Sequence, residues 1–257
     1  MLIGQCPAMI HLALFVVAPA VVLAGFVKGV VGLGLPTISI ALMATVMTPA
    51  HAAAIIVVPS LITNIWQTFG GPYLRDLTLR LWPLLLGTCL GTWSAAGLMT
   101  GPYARFNTPV LGVLLMIYAG LGLLRIRFHV ARHNERWVGG VVGVLTGIGA
   151  AGTGVFAIPA VPFLQATGME KDELVQAMGL FFTVSTLALG YNLAAADLLN
   201  VSVAMMSTVA LAAGLAGMAV GQVIRLRMPA DTFRRWFFIF LLALGAYLIS
   251  TLWWKPT

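Results

Sequence analysis

Charge is scarce in this chain. Only 8% of its 257 residues are charged, and seven of them are Asp or Glu. A soluble domain with a solvated surface is thereby excluded. Cysteine is scarce as well: Cys6 and Cys89 are far apart and give neither a disulfide framework nor a zinc spacing. Of the four histidines, His129 and His133 stand four apart in an arginine-rich stretch whose one acid is Glu135, while His11 and His51 sit near segment ends. No metal site is expected. No H-E-x-x-H, G-x-S-x-G, Walker loop or pair of carboxylates inside an apolar stretch occurs, so neither an enzyme nor a bound cofactor is expected. The N-terminus, MLIGQCPAMIHLALF, lacks the basic start of a signal peptide and reads as the beginning of a first membrane segment.

What is present is apolar: 60% of the residues are hydrophobic and the mean hydropathy is +1.01. The reading is an all-α polytopic membrane protein. The net charge of +7 is spread over short loops, which suits anionic headgroups rather than nucleic acid. Ten apolar segments can be marked: 8–31, 34–48, 51–70, 79–99, 104–124, 138–149, 152–166, 173–196, 198–222 and 235–254. Seven have 20 residues or more, enough for a hydrocarbon core of about 30 Å, although Lys28 and Gly29 spoil the end of 8–31. Segments 34–48, 138–149 and 152–166 hold only 12 to 15 residues and fall short of a span.

The short segments coincide with glycine and proline. Seven glycines lie from Gly139 to Gly154, followed by Pro159 and Pro162. Glycine costs about 1 kcal/mol relative to alanine in a helix interior and proline about 3. Such a stretch predicts a helix broken inside the bilayer, with new helix starts after Gly34 and Gly152, where freed backbone lines protein or a cavity. The pattern G-x-x-G-x-G occurs at Gly29, Gly32, Gly34 and, 120 residues later, at Gly149, Gly152, Gly154. Two further markers recur at offsets near 130: Gly87/Gly91 with Gly217/Gly221, and Arg105/Tyr118 with Arg234/Tyr247. The G-x-x-x-G pairs also have a plain packing reading. Together the markers predict two repeats, 1–124 and 138–257, joined by a basic linker 125–137, each a broken-helix hairpin plus three transmembrane helices. Arg75 and Arg80, the linker arginines, and Arg225, Arg227, Arg234 and Arg235 belong in the cytoplasm by the positive-inside rule. Both termini then lie outside, and the repeats are inverted.

Polar residues within the apolar segments supply the candidates for a site. Ser60, Thr63, Asn64 and Gln67 share one helical face, and Gln176, Gly179, Thr183, Thr186 and Gly190 form a comparable stripe. Cavity lining and interhelical hydrogen bonding both remain open for these stripes. Lys28 is the one charge inside an apolar stretch, placed to attract an anion or to snorkel towards headgroups. Backbone amides at helix starts around Gly32, Gly34, Pro36 and Thr37, and around Gly149, Gly152, Thr153 and Gly154, would favour an anion too.

The segments GFVKGVVGLGLP and GVLTGIGAAGTGVFAIP, in a chain of this length, resemble the TauE/SafE family of sulfite exporters from about Val22 to Ile249. The resemblance implies a membrane permease that moves small sulfur-containing anions, usually outward. The expected substrate site comprises Lys28, Gly32, Gly34, Pro36, Thr37, Asn64, Gln67, Gly149, Gly152, Thr153, Gly154, Gln176 and Thr183. A membrane scaffold, its glycines serving packing alone, is the alternative. The expected partners are a small anion and the lipid bilayer of the cell membrane; a homodimer is an allowed assembly. No acid lies in mid-span to carry protons, so the membrane potential is the expected driving force.

Overall fold

The computed structural model describes residues 13–124, 129–225 and 230–254, and every regular element among them is helical. Cys6, His11, Arg125, Arg127 and Arg227, weighed above, lie outside the described residues. A π-helical turn, Ala13–Val17, leads into α1 (Ala18–Val31), followed by α2 (Leu35–Met43), α3 (Pro49–Phe69), α4 (Leu74–Ser94) and α5 (Asn107–Leu123). Then come α6 (Glu135–Thr153), α7 (Ala160–Ala166), α8 (Lys171–Ala195), α9 (Val201–Arg225) and α10 (Ala230–Trp254). Helices α3, α5, α8 and α9 are long and apolar enough to cross a membrane.

Helix α6 corrects the sequence reading. A 12-residue arm was expected to end at Gly149, with a new helix starting after Gly152. The helix instead begins at Glu135, inside the expected linker, and runs unbroken for 19 residues to Thr153. At 1.5 Å per residue that is roughly 28 Å, close to a full span. Packing explains why its glycines do not break it. A Cβ on Gly143 or Gly147 would collide with the carbonyl oxygens of Leu84 or Thr88 on α4. Conversely, a Cβ on Gly87 or Gly91 would strike those of Gly140 or Val144. Small residues let backbones approach this closely in lipid, and the contact offsets the propensity cost. The break comes later, at Gly154 (φ 76°), whose N–H caps the helix on the Ala150 carbonyl. Among the described α-helices α2 and α7 are the shortest, at 9 and 7 residues.

The same interlock joins α1 to α9, where Gly25 and Gly29 meet the carbonyls of Gly214 and Met218, and Gly217 and Gly221 meet those of Val22 and Phe26. Within α1/α9 and α4/α6 the partner numbers rise together, so each pair is parallel. Between α3 and α8 they run oppositely: Gly71 meets Gln176, Gly179 meets Gln67 and Gly190 meets Val57, so the pair is antiparallel. Helices α5 and α10 are antiparallel as well, with Gly112 against Gly245 and Tyr118 edge-on to Phe238 at 5.4 Å. Gly29 is therefore matched in packing role by Gly147, not by Gly149, near which only Leu114 approaches. The left-handed cap Gly32 comes three positions after Gly29, and Gly154 seven positions after Gly147, so α6 carries one extra turn.

Two polar rims mark the ends of the bundle. At one, Arg80 of α4 holds Glu135 of α6 through Nε and Nη2 at 2.8 and 2.7 Å, and Glu173 of α8 at 3.1 Å. At the other, Trp93 of α4 meets Tyr191 of α8 at 6.0 Å. Exposed Trp66, Phe69, Trp137 and Trp236 lie toward the Arg80 end, and Tyr103, Tyr191 and Tyr247 toward the other, as aromatic belts do at the two interfaces of a bilayer. Within α3, Pro59 offers no N–H to the Ile55 carbonyl. Ser207 of α9 supplies the missing donor at 2.8 Å.

Candidate functional site

Lys28 lies in the last turn of α1 because the helix must stop there. Gly32 (φ 84°) and Gly34 (φ 107°) take left-handed conformations that a side chain would oppose, and the Gly32 N–H closes the helix on the Lys28 carbonyl at 2.7 Å. This turns Lys28 toward α3, where it is only 4% exposed. Its ammonium donates to Thr63 Oγ1 at 3.0 Å and to Asn64 Oδ1. The Thr63 hydroxyl in turn bonds the Pro59 carbonyl at 2.9 Å. Among the described residues two charged side chains are buried, Lys28 and Glu135. Glu135 has Arg80; Lys28 has no carboxylate within ion-pair distance among the described residues. An ammonium held without a counter-ion in a buried setting is expensive, and such residues mark substrate paths in membrane proteins.

Beside Lys28 opens a cavity of about 400 Å³, lined by Gly32, Thr63, Gln67, Gly70, Gly71, Asp172, Gln176 and Gln222 among others. It lies toward the Arg80 end, next to the turn between α3 and α4 and the start of α8. Two glutamines close its wall. Gln67 donates to the Val175 carbonyl at 2.7 Å and the Gly32 carbonyl at 3.3 Å. Gln176 donates to the carbonyls of Thr68 and Gly71, both at 2.8 Å, and accepts from the Tyr73 N–H at 2.9 Å. Deeper than the wall, Asn64 Nδ2 and Ser60 Oγ are buried without a hydrogen-bond partner. Ordinarily such groups are satisfied, and one left over asks for a reason.

Of the residues predicted for the site, the structure therefore gathers Lys28, Gly32, Asn64, Gln67 and Gln176. Gly34, Pro36 and Thr37 form the buried start of α2, immediately after the break. Thr183 is elsewhere, sharing a 2.9 Å hydrogen bond with Thr68 in the α3/α8 contact. Gly149, Gly152, Thr153 and Gly154 stand apart from Lys28. Gly154 touches Ile40, Ala53 and Met99, and Ala53 is ten residues from Thr63 along α3, roughly 15 Å. Gly152 and Thr153 occupy the last turn of α6, not the start of a helix, and Thr153 bonds back to the Gly149 carbonyl at 2.8 Å. They present no N-terminal amides to an anion. Sequence reasoning passed over Gln222 and the Gly70–Gly71 turn. Gln222, a single amide at the end of the apolar α9, was a usable signal; the turn was not, because it acts through its backbone.

No curated protein and no solved structure matches the chain. The family model for the sulfite exporter TauE/SafE matches residues 17–248. That match takes in the Lys28 pocket and every helix from α1 to most of α10. By it, this multi-pass membrane protein belongs to the sulfite exporter TauE/SafE family of transporters.

Proposed function

We propose that this protein moves a small sulfur-containing anion (sulfite, thiosulfate or an organosulfonate) outward across the plasma membrane, through a site centred on Lys28. One observation carries the reading: a buried ammonium, with no carboxylate in ion-pair distance among the described residues, faces a cavity. The membrane potential drives the flux. The architecture is an inverted repeat of α1–α5 and α6–α10, with both termini external. Its support is the pairing of helices: α3 with α8 and α5 with α10 are antiparallel, while α1/α9 and α4/α6 share one glycine interlock. Inversion of one half relative to the other accounts for both facts. The cavity then opens to the cytoplasm, beside the Arg75 and Arg80 segment, as loading for export requires.

The test is anion binding by the purified protein. Lys28→Met should weaken binding of methanesulfonate by about tenfold or more while the protein still folds, since the cation's charge-assisted contact is removed. Lys28→Arg should keep part of it. Unchanged binding in the methionine variant would return Lys28 to an interfacial, structural role.

A further inference from the structure

The cavity beside Lys28 has a simple charge inventory. Its lining holds one cation, Lys28, and one carboxylate, Asp172, which is exposed at the mouth. Arg80, an arginine of the same rim, does not line it and is committed to Glu135, Glu173 and the Thr167 carbonyl. The other lining residues are neutral.

The hydrogen-bonding capacity is equally definite. An ammonium has three protons and no acceptor. Lys28 spends two, on Thr63 Oγ1 and Asn64 Oδ1. Because Asn64 turns its oxygen to the ammonium, its NH2 group is left as a donor, and Nδ2 has no partner although the residue is only 1% exposed. One turn earlier on the same face, Ser60 is also 1% exposed with its hydroxyl unpartnered. The amides of Gln67 and Gln176 are already used on backbone carbonyls. At the cavity itself the unspent donor is the third ammonium proton; Asn64 Nδ2 and Ser60 Oγ lie in the interior outside its lining. One free cationic proton suits an oxygen acceptor that carries a single negative charge.

Resting on the reading that Lys28 holds the substrate, we propose that the site selects singly charged oxyanions, R–SO3⁻ or hydrogensulfite, over doubly charged ones such as sulfite, sulfate and thiosulfate. One charge is matched by one ammonium. A second would sit buried and unpaired, with Asp172 adding repulsion on the way in, and uncompensated buried charge is strongly disfavoured. Sulfite, whose second proton leaves near neutral pH, is taken as hydrogensulfite.

Methanesulfonate and sulfate make a matched pair, since both are tetrahedral and of similar size and differ by one charge. Their binding to the purified full chain is measured in chloride-free buffer. Methanesulfonate should bind at least about tenfold more tightly, the scale on which one unpaired buried charge tells. Sulfate binding as well or better would overturn the charge rule and leave the Lys28 site standing. Binding of neither ion would remove both this inference and the proposed function. Asn64→Asp gives a second reading: the new carboxylate pairs with Lys28 in place of the ligand. Methanesulfonate affinity should then fall more than about tenfold, with thermal stability kept. Wild-type affinity in a folded Asn64→Asp protein would contradict the one-to-one match.

Discussion

At the scale of single residues, the informative positions are those where chemistry and environment disagree. Lys28 and Asn64 were legible in the sequence because a charge or an amide in an apolar run has few places to go. Glycine was harder to read: it breaks a helix or lets one approach, and only tertiary contact tells which. Gly147 and Gly120 show the contrast. A Cβ at Gly147 would meet the Thr88 carbonyl backbone, which cannot yield, whereas Gly120 of α5 has nothing within 4 Å. Gly147→Ala should therefore destabilise by about 1–3 kcal/mol, as overpacking does. Gly120→Ala should be neutral or gain about 0.4–1 kcal/mol through the unfolded chain. Thermal unfolding of the two variants in the same detergent compares them directly, and equal melting temperatures would remove the interlock as a stabilising element.

At the scale of elements, the short α2 was foreseeable and the long unbroken α6 was not. Pro36 and the left-handed glycines at 32 and 34 stop α1 and start α2 by local geometry alone, so that hinge could be read from the chain. In α6 the propensity cost of the glycines pointed to an early stop, but contact with α4 overrode it, and contact is invisible in one sequence. Pro59 in α3 was passed over for a related reason. Its consequence, the freed Ile55 carbonyl, is met by a residue 152 positions away, Ser207. Removing that donor should leave a buried acceptor unpaired. Ser207→Ala should cost about 1–3 kcal/mol, while Thr208→Ala, on an exposed hydroxyl bonded within its own helix, should be nearly silent. Equal thermal shifts for the two would mean that α3 satisfies its kink without α9.

At the scale of the whole molecule, function turns on how much charge crosses per cycle. Described acids lie in loops or near helix ends, and Glu135 and Glu173 are held by Arg80, so no mid-span carboxylate is placed to shuttle protons. An inside-negative potential contributes about 2.3 kcal/mol per elementary charge per 100 mV to an anion leaving the cell. For one charge that supports roughly a 50-fold outward gradient at 100 mV, and for two charges about 2,000-fold. The two cases separate cleanly in proteoliposomes loaded with methanesulfonate. A tenfold gradient of a monoanion should be balanced, and net flux stopped, by about 60 mV of opposing potential; transfer of two charges would need only about 30 mV. Imposing a pH gradient at zero potential should leave the flux unchanged, because methanesulfonate does not titrate and no mid-span acid is available. A null potential near 60 mV would join the single ammonium at Lys28 to the energetics of the proposed transport. Flux indifferent to potential would instead require a co-moving cation or exchanged anion, and would displace the potential as the driving force.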